Sequence, residues 1–315
     1  MRILLAGATG VIGSRLLPRL LEAGHQVTCL TRSRDRAAGL GASGASAVVA
    51  DAYDQASVTA AARAARPEVV IHQLTSLPKQ INPRKIYRQL ADNDRLRVEG
   101  TRNLVAAAEA AGARRLIAQS IAFVYAPEGE RVVDEAAPLY LRAPGKGFRR
   151  MVEAVASLES SVLGARAVTG VVLRYGVFYG PGTVFARGGP FADQVQRRRV
   201  PVVGAGAGVY SFIHIDDAAS ATVAALSHGE SGIYNVVDDE PAAVREWLPL
   251  YAAALGAKRP MKVPTFLARL GAGAYGVHMM TAQRGASNRK ARQELGWQPA
   301  TSSWRTGFPA SLSSA

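Results

Sequence analysis

The stretch Met1–Gly13, MRILLAGATGVIG, decides the fold. Ile3, Leu4, Leu5 and Ala6 form a short apolar run closed by glycine, the pattern of a strand buried on both faces. Gly7, Gly10 and Gly13 follow at G-x-x-G-x-x-G spacing. From Val11 the periodicity turns helical, with Ile12, Leu16, Leu17, Leu20 and Leu21 on one stripe. A strand, a glycine turn and a helix N-terminus together make an anion site. Gly7 allows the tight turn, Gly10 the approach of a pyrophosphate to the backbone, and Gly13 close packing of helix on strand. Three glycines alone would serve a plain turn equally well. Joined to a β-α-β pattern, they predict dinucleotide binding.

Composition agrees with a globular protein. The chain has 315 residues, of which 48% are hydrophobic and 20% charged, enough for a large core in two lobes. No apolar run approaches the roughly 20 residues of a membrane span. The first strand is expected to start at once, leaving no room for a signal peptide. Cys29 is the single cysteine, which excludes an internal disulfide and a cysteine-based zinc site. The expected compartment is the cytoplasm. The formal charge of +14 raises nucleic acid as a partner. The excess, however, is arginine spread along an Ala- and Gly-rich chain, and its densest cluster, Arg197–Arg199, reads as a solvated helix end. A small-molecule substrate is the expected partner, without nucleic acid or membrane, and homodimer formation is left open.

Downstream, Gln26–Thr31 reads as the second strand. A dinucleotide fold for NAD places an acid near its end to meet the adenosine ribose. Here Arg32 and Arg34 stand in its place. A guanidinium grips a 2′-phosphate that a carboxylate would repel, so NADP (as NADPH) is expected over NAD, with loop charge as the bland alternative. Ala45–Ala50 is the third strand, ending at Asp51, which either meets the adenine edge or caps the helix near Gln55. Glu68–His72 and Arg115–Gln119 are the next strands, with a loop Gln73–Pro83 and a long helical region from Arg84 to Gly112 between them. A helix Phe148–Leu163 and a strand Thr169–Tyr175 follow. Beyond these the pattern loosens: Tyr210–Asp217 and Gly232–Val237 have strand character, and Val244–Leu255 and Ala291–Trp297 are helical. The Ser-rich tail Ser311–Ala315 is expected to fray. The alternation predicts a parallel sheet with right-handed crossovers.

Several segments carry a resemblance: GATGVIG, Asp51, EGTRNL (Glu99–Leu104), LRYGVFYGPG (Leu173–Gly182), FIHIDDAA (Phe212–Ala219), YNVVDDEP (Tyr234–Pro241) and ARQELGWQP (Ala291–Pro299). In this order they are similar to the extended short-chain dehydrogenase/reductase superfamily of the NAD-dependent epimerase/dehydratase type, along nearly the whole chain. The resemblance implies an α/β Rossmann doubly wound parallel sheet with a smaller, discontinuous C-terminal substrate lobe. Residues 1–175 and 211–230 would form the first, and 176–210 and 231–315 the second. The cofactor site expected from motif and resemblance comprises Gly7, Thr9, Gly10, Val11, Ile12, Gly13, Arg32, Arg34, Asp51, Ala52, Leu74, Gln119, Arg149 and Tyr175.

The superfamily's catalytic set is missing. Its members use a Tyr with a Lys four residues later, a Ser or Thr that orients the substrate oxygen, and a relay Asn. Aligned on Glu153, the Tyr position is Gly145 and the Lys position Arg149. The Ser position is Ile121, one beyond Ser120, and the Asn position is Arg97, one helical turn from Asn93. Substitute acids near the site are Tyr140, Lys146 and Tyr125, against readings as packed tyrosines and a surface lysine. The catalytic candidates are therefore Tyr140, Lys146, Ser120 and Arg149. His214 is expected to fix a turn, with Asp216 and Asp217 capping the next helix, and no histidine shows metal-ligand spacing. Phe123, Tyr125, Phe178, Tyr179, Phe185 and Tyr210 are candidate substrate contacts, joined by Phe191, Met279 and Met280. They point to an aromatic or polyketide-like ligand unless they are lobe core. The segment Gly206–Ser211 lacks the Arg that nucleotide-sugar enzymes of this type carry. The expected function is NADPH-dependent reduction of an activated carbonyl or quinone. An epimerase, dehydratase or cyclase that retains its cofactor, and a non-enzymatic NADP-binding sensor or scaffold, are the alternatives.

Overall fold

Seven parallel strands carry the molecule: β1 (Arg2–Ala6), β2 (Gln26–Thr31), β3 (Ser46–Val49), β4 (Val69–His72), β5 (Arg115–Ile121), β6 (Thr169–Tyr175) and β7 (Gly232–Val236). They lie in the order β7-β6-β5-β4-β1-β2-β3, which reverses direction between β4 and β1 and opens a crevice there. The computed structural model describes residues 1–78 and 85–313. The expected loop Gln73–Pro83 is described only to residue 78, and Arg84, the expected start of the long helical region, lies outside the described residues.

The apolar run of β1 is buried on both faces because β1 is a central strand, with Leu5 opposite both Cys29 and Ile71. One face packs on α1 (Gly13–Glu22), whose Leu16, Leu17 and Leu20 join Ile3, Leu5, Ile71 and Ile117. The other packs on the helices Gln55–Ala65 and Thr101–Ala110, where Val58, Leu104 and Ala108 meet Leu4 and Val70. A third, aromatic-rich core holds the C-terminal lobe, built on Phe185, Phe212, Trp247, Tyr251, Trp304 and Phe308.

Three sequence expectations change. The strand Gly232–Val236, assigned to the substrate lobe within 231–315, is an edge strand of the main sheet, with Tyr234 opposite Leu173. Tyr234, Asn235 and Val236 are buried, and the free edge of β6 supplies the partner that they need. The helical region before Gly112 is broken into Ile86–Gln89, Ala91–Arg95, a π-turn Leu96–Gly100 and Thr101–Ala110, the amide of Thr101 bonding to the Leu96 carbonyl five residues back. Ser311 and Ser313 belong to a helix, Trp304–Ser313, rather than to a frayed tail. Trp304, Phe308 and Leu312 at i, i+4, i+8 bury one stripe of it. Ser314 and Ala315 lie outside the described residues.

A polar seam crosses the core beneath β5 and β6. Arg174 meets Glu159 through Nη2–Oε2 at 2.6 Å and Nε–Oε1 at 2.8 Å, with both side chains at 5% exposure or less. Ser120 Oγ donates to Glu159 Oε1 at 2.7 Å. Arg174 Nη1 donates to the Tyr125 hydroxyl at 2.9 Å, which in turn donates to Asn235 Oδ1 at 2.6 Å. Breaking a buried pair strands a charge, so Arg174→Met is expected to cost about 3–5 kcal/mol in urea unfolding followed by circular dichroism. The double variant Glu159→Met/Arg174→Met should recover most of that loss, and equal loss in both would refute the assignment.

Candidate functional site

The glycine turn is built by backbone crowding. Gly7 has φ +102°, and a Cβ there would lie 2.5 Å from the Gln73 carbonyl oxygen across the β1–β4 junction. A Cβ on Gly13 would lie 2.1 Å from the Gly7 oxygen, so α1 reaches this depth only with glycine. Gly10 differs, because its Cβ would meet only the Gly7 oxygen at 3.3 Å. The helix begins after Ile12 with no side-chain cap, the Ser14 and Arg15 amides bonding back to the Gly10 and Ile12 carbonyls.

From this turn a cleft of about 500 Å³ runs over the ends of β1, β2, β3 and β4. Of the expected cofactor contacts, Gly7, Thr9 and Gly10 line it at the turn, Leu74 on the β4 side, and Arg32, Asp51 and Ala52 at the far end. The lining also includes Ser33, Arg36, Tyr53, Gln73 and Leu96, which sequence reasoning missed. Arg34 is exposed at the start of the helix Arg34–Ala42 and does not line the cleft; Arg36, half a turn on, does. The signal was available: Ser33 caps this helix, its Oγ accepting from the Arg36 amide at 3.3 Å, which sets the side of each arginine. Asp51 does not cap the next helix. Asp54 does, accepting from the Ser57 amide, while Asp51 accepts from the Tyr53 amide at 3.0 Å and stays on the cleft. Tyr53 is anchored by its hydroxyl on the Asp92 carbonyl and by the Arg95 guanidinium 4.2 Å from its ring centre.

The other expected cofactor contacts sit around the cleft rather than in its lining. Val11 is exposed and Ile12 buried beside Gly13 at the helix start. Gln119 Nε2 donates to the Leu74 carbonyl at 3.0 Å and so braces the β4 loop. Tyr175 is buried below, its hydroxyl bonded to Gln73 Nε2 at 3.1 Å and Thr222 at 2.7 Å; burial pushes its pKa up to about 12. His72 is fixed as a neutral ring, Nδ1 accepting from the Leu74 amide and Nε2 facing Thr101 Oγ1 at 2.9 Å. Burial, then the Arg97 charge, lowers its pKa to about 4.

At the expected catalytic position, Gly145 stands before the helix Lys146–Leu163 with φ +83° and open space around it, so a tyrosine there would be strained in backbone. Lys146 and Arg149 are both exposed on the first turn. Tyr140 is half-buried, its ring 5.7 Å from Phe148 and 5.1 Å from His278. Ser120 is not free to orient a substrate, because its hydroxyl is spent on buried Glu159. Four further expectations are corrected by burial. Tyr125 is enclosed in the polar seam, and burial raises its pKa to about 12 against the lowering effect of Arg174. Tyr179 and Phe185 are core of the C-terminal lobe, packed on Phe308 at 5.0 and 6.1 Å. Tyr210 packs on Trp247 at 5.0 Å in the same cluster. Phe123 and half-buried Phe178, 5.4 Å from Tyr175, remain at the β5 and β6 ends. His214 itself caps its helix, accepting from the Asp216 amide, while Asp216 pairs with Arg19 and Asp217 holds the amides of Ala300 and Thr301.

The family model for the NAD dependent epimerase/dehydratase family matches residues 3–237, and the chain belongs to that family. It is an NAD(P)-dependent enzyme of this group. A 3-diazoavenalumate denitrifying reductase from a Streptomyces species is 50% identical over 309 residues, covering 98% of this chain and 99% of the relative. A UDP-glucose 4-epimerase of Mycolicibacterium smegmatis is 28% identical over 95% and 94% of the two chains. Among solved structures, the UDP-glucose 4-epimerase of Thermotoga maritima with UDP-glucose has a TM-score of 0.77 at 20% identity, over 99% and 98% of the chains. That of Thermus thermophilus with NAD has 0.72 at 26%, over 99% and 98%. Among the described residues, no helix is long and apolar enough to cross a membrane.

The two kinds of glycine separate experimentally. Gly10→Val should keep the circular dichroism of the parent and lose nicotinamide-dinucleotide binding by at least tenfold in a fluorescence titration. Gly13→Val should not fold. A folded Gly10→Val variant with unchanged affinity would remove the turn from the binding site.

Proposed function

We propose that the protein is an NADPH-dependent reductase that delivers hydride to an activated, conjugated acceptor and uses no positioned tyrosine acid. The observation that carries this reading is the half-identity, along nearly the full chain, to a protein named as a denitrifying reductase. The site supports it, because Gly145 and exposed Arg149 stand where a Tyr–Lys pair would hold a proton.

The residues present fit a dinucleotide: a cradle at Gly10 that admits a pyrophosphate, an uncapped helix start, and a cleft that continues to Arg32 and Arg36. When bound, the reduced nicotinamide supplies the hydride. Arg32 and Arg36, with Ser33 between them, would hold the 2′-phosphate of the adenosine ribose, and Asp51 and anchored Tyr53 would border the adenine. Leu74, held by Gln119, shapes the nicotinamide side. A neutral quinone or diazo-oxo acceptor becomes an anion on receiving hydride, and that charge spreads over its conjugated oxygen. For a diazo group, hydride adds to the terminal nitrogen, the oxygen takes the negative charge, and N₂ leaves as its hydrogen passes to carbon. Atoms and electrons balance without an enzymic acid; water protonates the resulting oxyanion. The chain therefore has to orient the acceptor, exclude competing reactions and stabilise an anion.

Two outcomes follow. NADPH should bind more tightly than NADH, and Arg32→Ala/Arg36→Ala should erase most of the difference. The loss of about 1.5–3 kcal/mol corresponds to roughly ten- to a hundredfold. Equal affinities in the parent protein would defeat the NADP assignment. Turnover of a diazo-substituted phenolic acid, followed by NADPH absorbance, should change by less than about threefold in Tyr140→Phe and in Lys146→Ala. A loss of ~10³-fold in either, with cofactor affinity intact, would show that an acid has moved rather than disappeared.

A further inference from the structure

Among the described residues, Arg97 is a half-buried cation with no ion pair of its own. It lies on the π-turn Leu96–Gly100, whose neighbour Leu96 lines the cofactor cleft, and it occupies the relay-Asn position read from the sequence. The turn packs against the helix Lys146–Leu163, which carries Gly145 and Arg149 at its start. The side chain is half-buried. Among the described residues it forms neither an ion pair nor a hydrogen bond.

Its charge acts on Asp94, Glu159, Tyr275 and His72. Both carboxylates are committed elsewhere, Asp94 to Arg150 at 3.1 Å and Glu159 to Arg174 at 2.6 Å. His72 is fixed by two hydrogen bonds at the end of β4, and burial, then the Arg97 charge, lowers its pKa to about 4. Tyr275 packs edge-on against Phe148 at 5.0 Å, on the helix that would carry the catalytic pair. Desolvation makes the Arg97 charge costly, lowering its pKa from the ordinary range, yet a guanidinium stays ionised. An unpaired, desolvated cation is retained against that cost where an anion arrives.

We infer that Arg97 receives the negative charge that forms on the substrate oxygen during hydride transfer, so that a fixed cation replaces the missing proton donor. This rests on the reductase reading above. Arginine cannot act as the acid, but in a partly dry site its charge and planar donor fork stabilise an oxyanion as hydrogen-bond donors do in acyl transfer. It also accounts for a site that tolerates Gly145: once charge is met by Coulomb attraction, no proton need be delivered during the hydride step.

The test uses the full chain with NADP⁺ and 4-nitrophenol, whose yellow anion and colourless acid report the charge state directly. The parent protein should bind it as the phenolate at pH 6. Arg97→Met should bind it at least tenfold more weakly and as the neutral phenol, Arg97→Lys should keep the yellow complex, and NADPH affinity should be unchanged in both. With 9,10-phenanthrenequinone as acceptor, Arg97→Met should lose ~100-fold in kcat with little change in KM. A parent-like spectrum and kcat in Arg97→Met would overturn the role of Arg97 and leave the reductase reading standing. Loss of NADPH affinity in both variants would also overturn it, by moving Arg97 to the cofactor site. A parent protein that neither binds the phenolate nor reduces any quinone or diazo acceptor would overturn both readings.

Discussion

Three backbones meet at one point, and the rest of the molecule depends on that meeting. The Gly7 carbonyl lies where a Cβ of residue 13 would be, and the Gln73 carbonyl where a Cβ of residue 7 would be. Only glycine at both positions lets α1 descend onto β1 and lets the β4 loop close beside it. The uncapped start of α1 thereby opens onto the reversal in strand order, and the cleft runs away from that point in both directions. Gln73 continues the arrangement through its side chain, which ties the loop to Tyr175 and Thr222 below.

The same scaffold can host different chemistry because its catalytic edge is independent of this crossing. Where a tyrosine would stand, the chain has a glycine in a left-handed conformation, and the neighbouring Ser120 is absorbed into a buried ion-pair seam. The seam runs from Glu159 through Arg174 and Tyr125 to Asn235, and it joins β5, β6 and β7 just below the substrate side. Groups that would otherwise exchange protons are thus tied up in structure. On the π-turn and the start of the helix packed against it, Arg97 is half-buried and Arg149 exposed.

The fold was legible because β1, α1 and their glycines obey local rules that tertiary context only reinforces. Six of the seven strands of the main sheet were placed in it from apolar runs; the seventh, Gly232–Val236, was seen as a strand but given to the wrong lobe, since its partner is 61 residues away. The cleft was partly legible: two of the expected contacts, Arg32 and Asp51, line it, while Arg36 and Tyr53 were missed because their direction depends on caps at Ser33 and Asp54. The substrate side was the least legible. An aromatic residue in a loosely patterned lobe looks the same in sequence whether it lines a pocket or, like Tyr179 and Phe185, fills a core. The Trp304, Phe308 and Leu312 stripe was readable by spacing, and the serines around it hid it.

The account's central claim is net hydride transfer to an external acceptor, and redox stoichiometry tests it most directly. Catalytic amounts of the protein, mixed anaerobically with NADPH and a diazo-substituted phenolic acid, should oxidise one NADPH for each acceptor consumed and each N₂ released. Conversion of a substrate with no net oxidation of the cofactor would contradict the claim and return the protein to the epimerase chemistry of its structural neighbours.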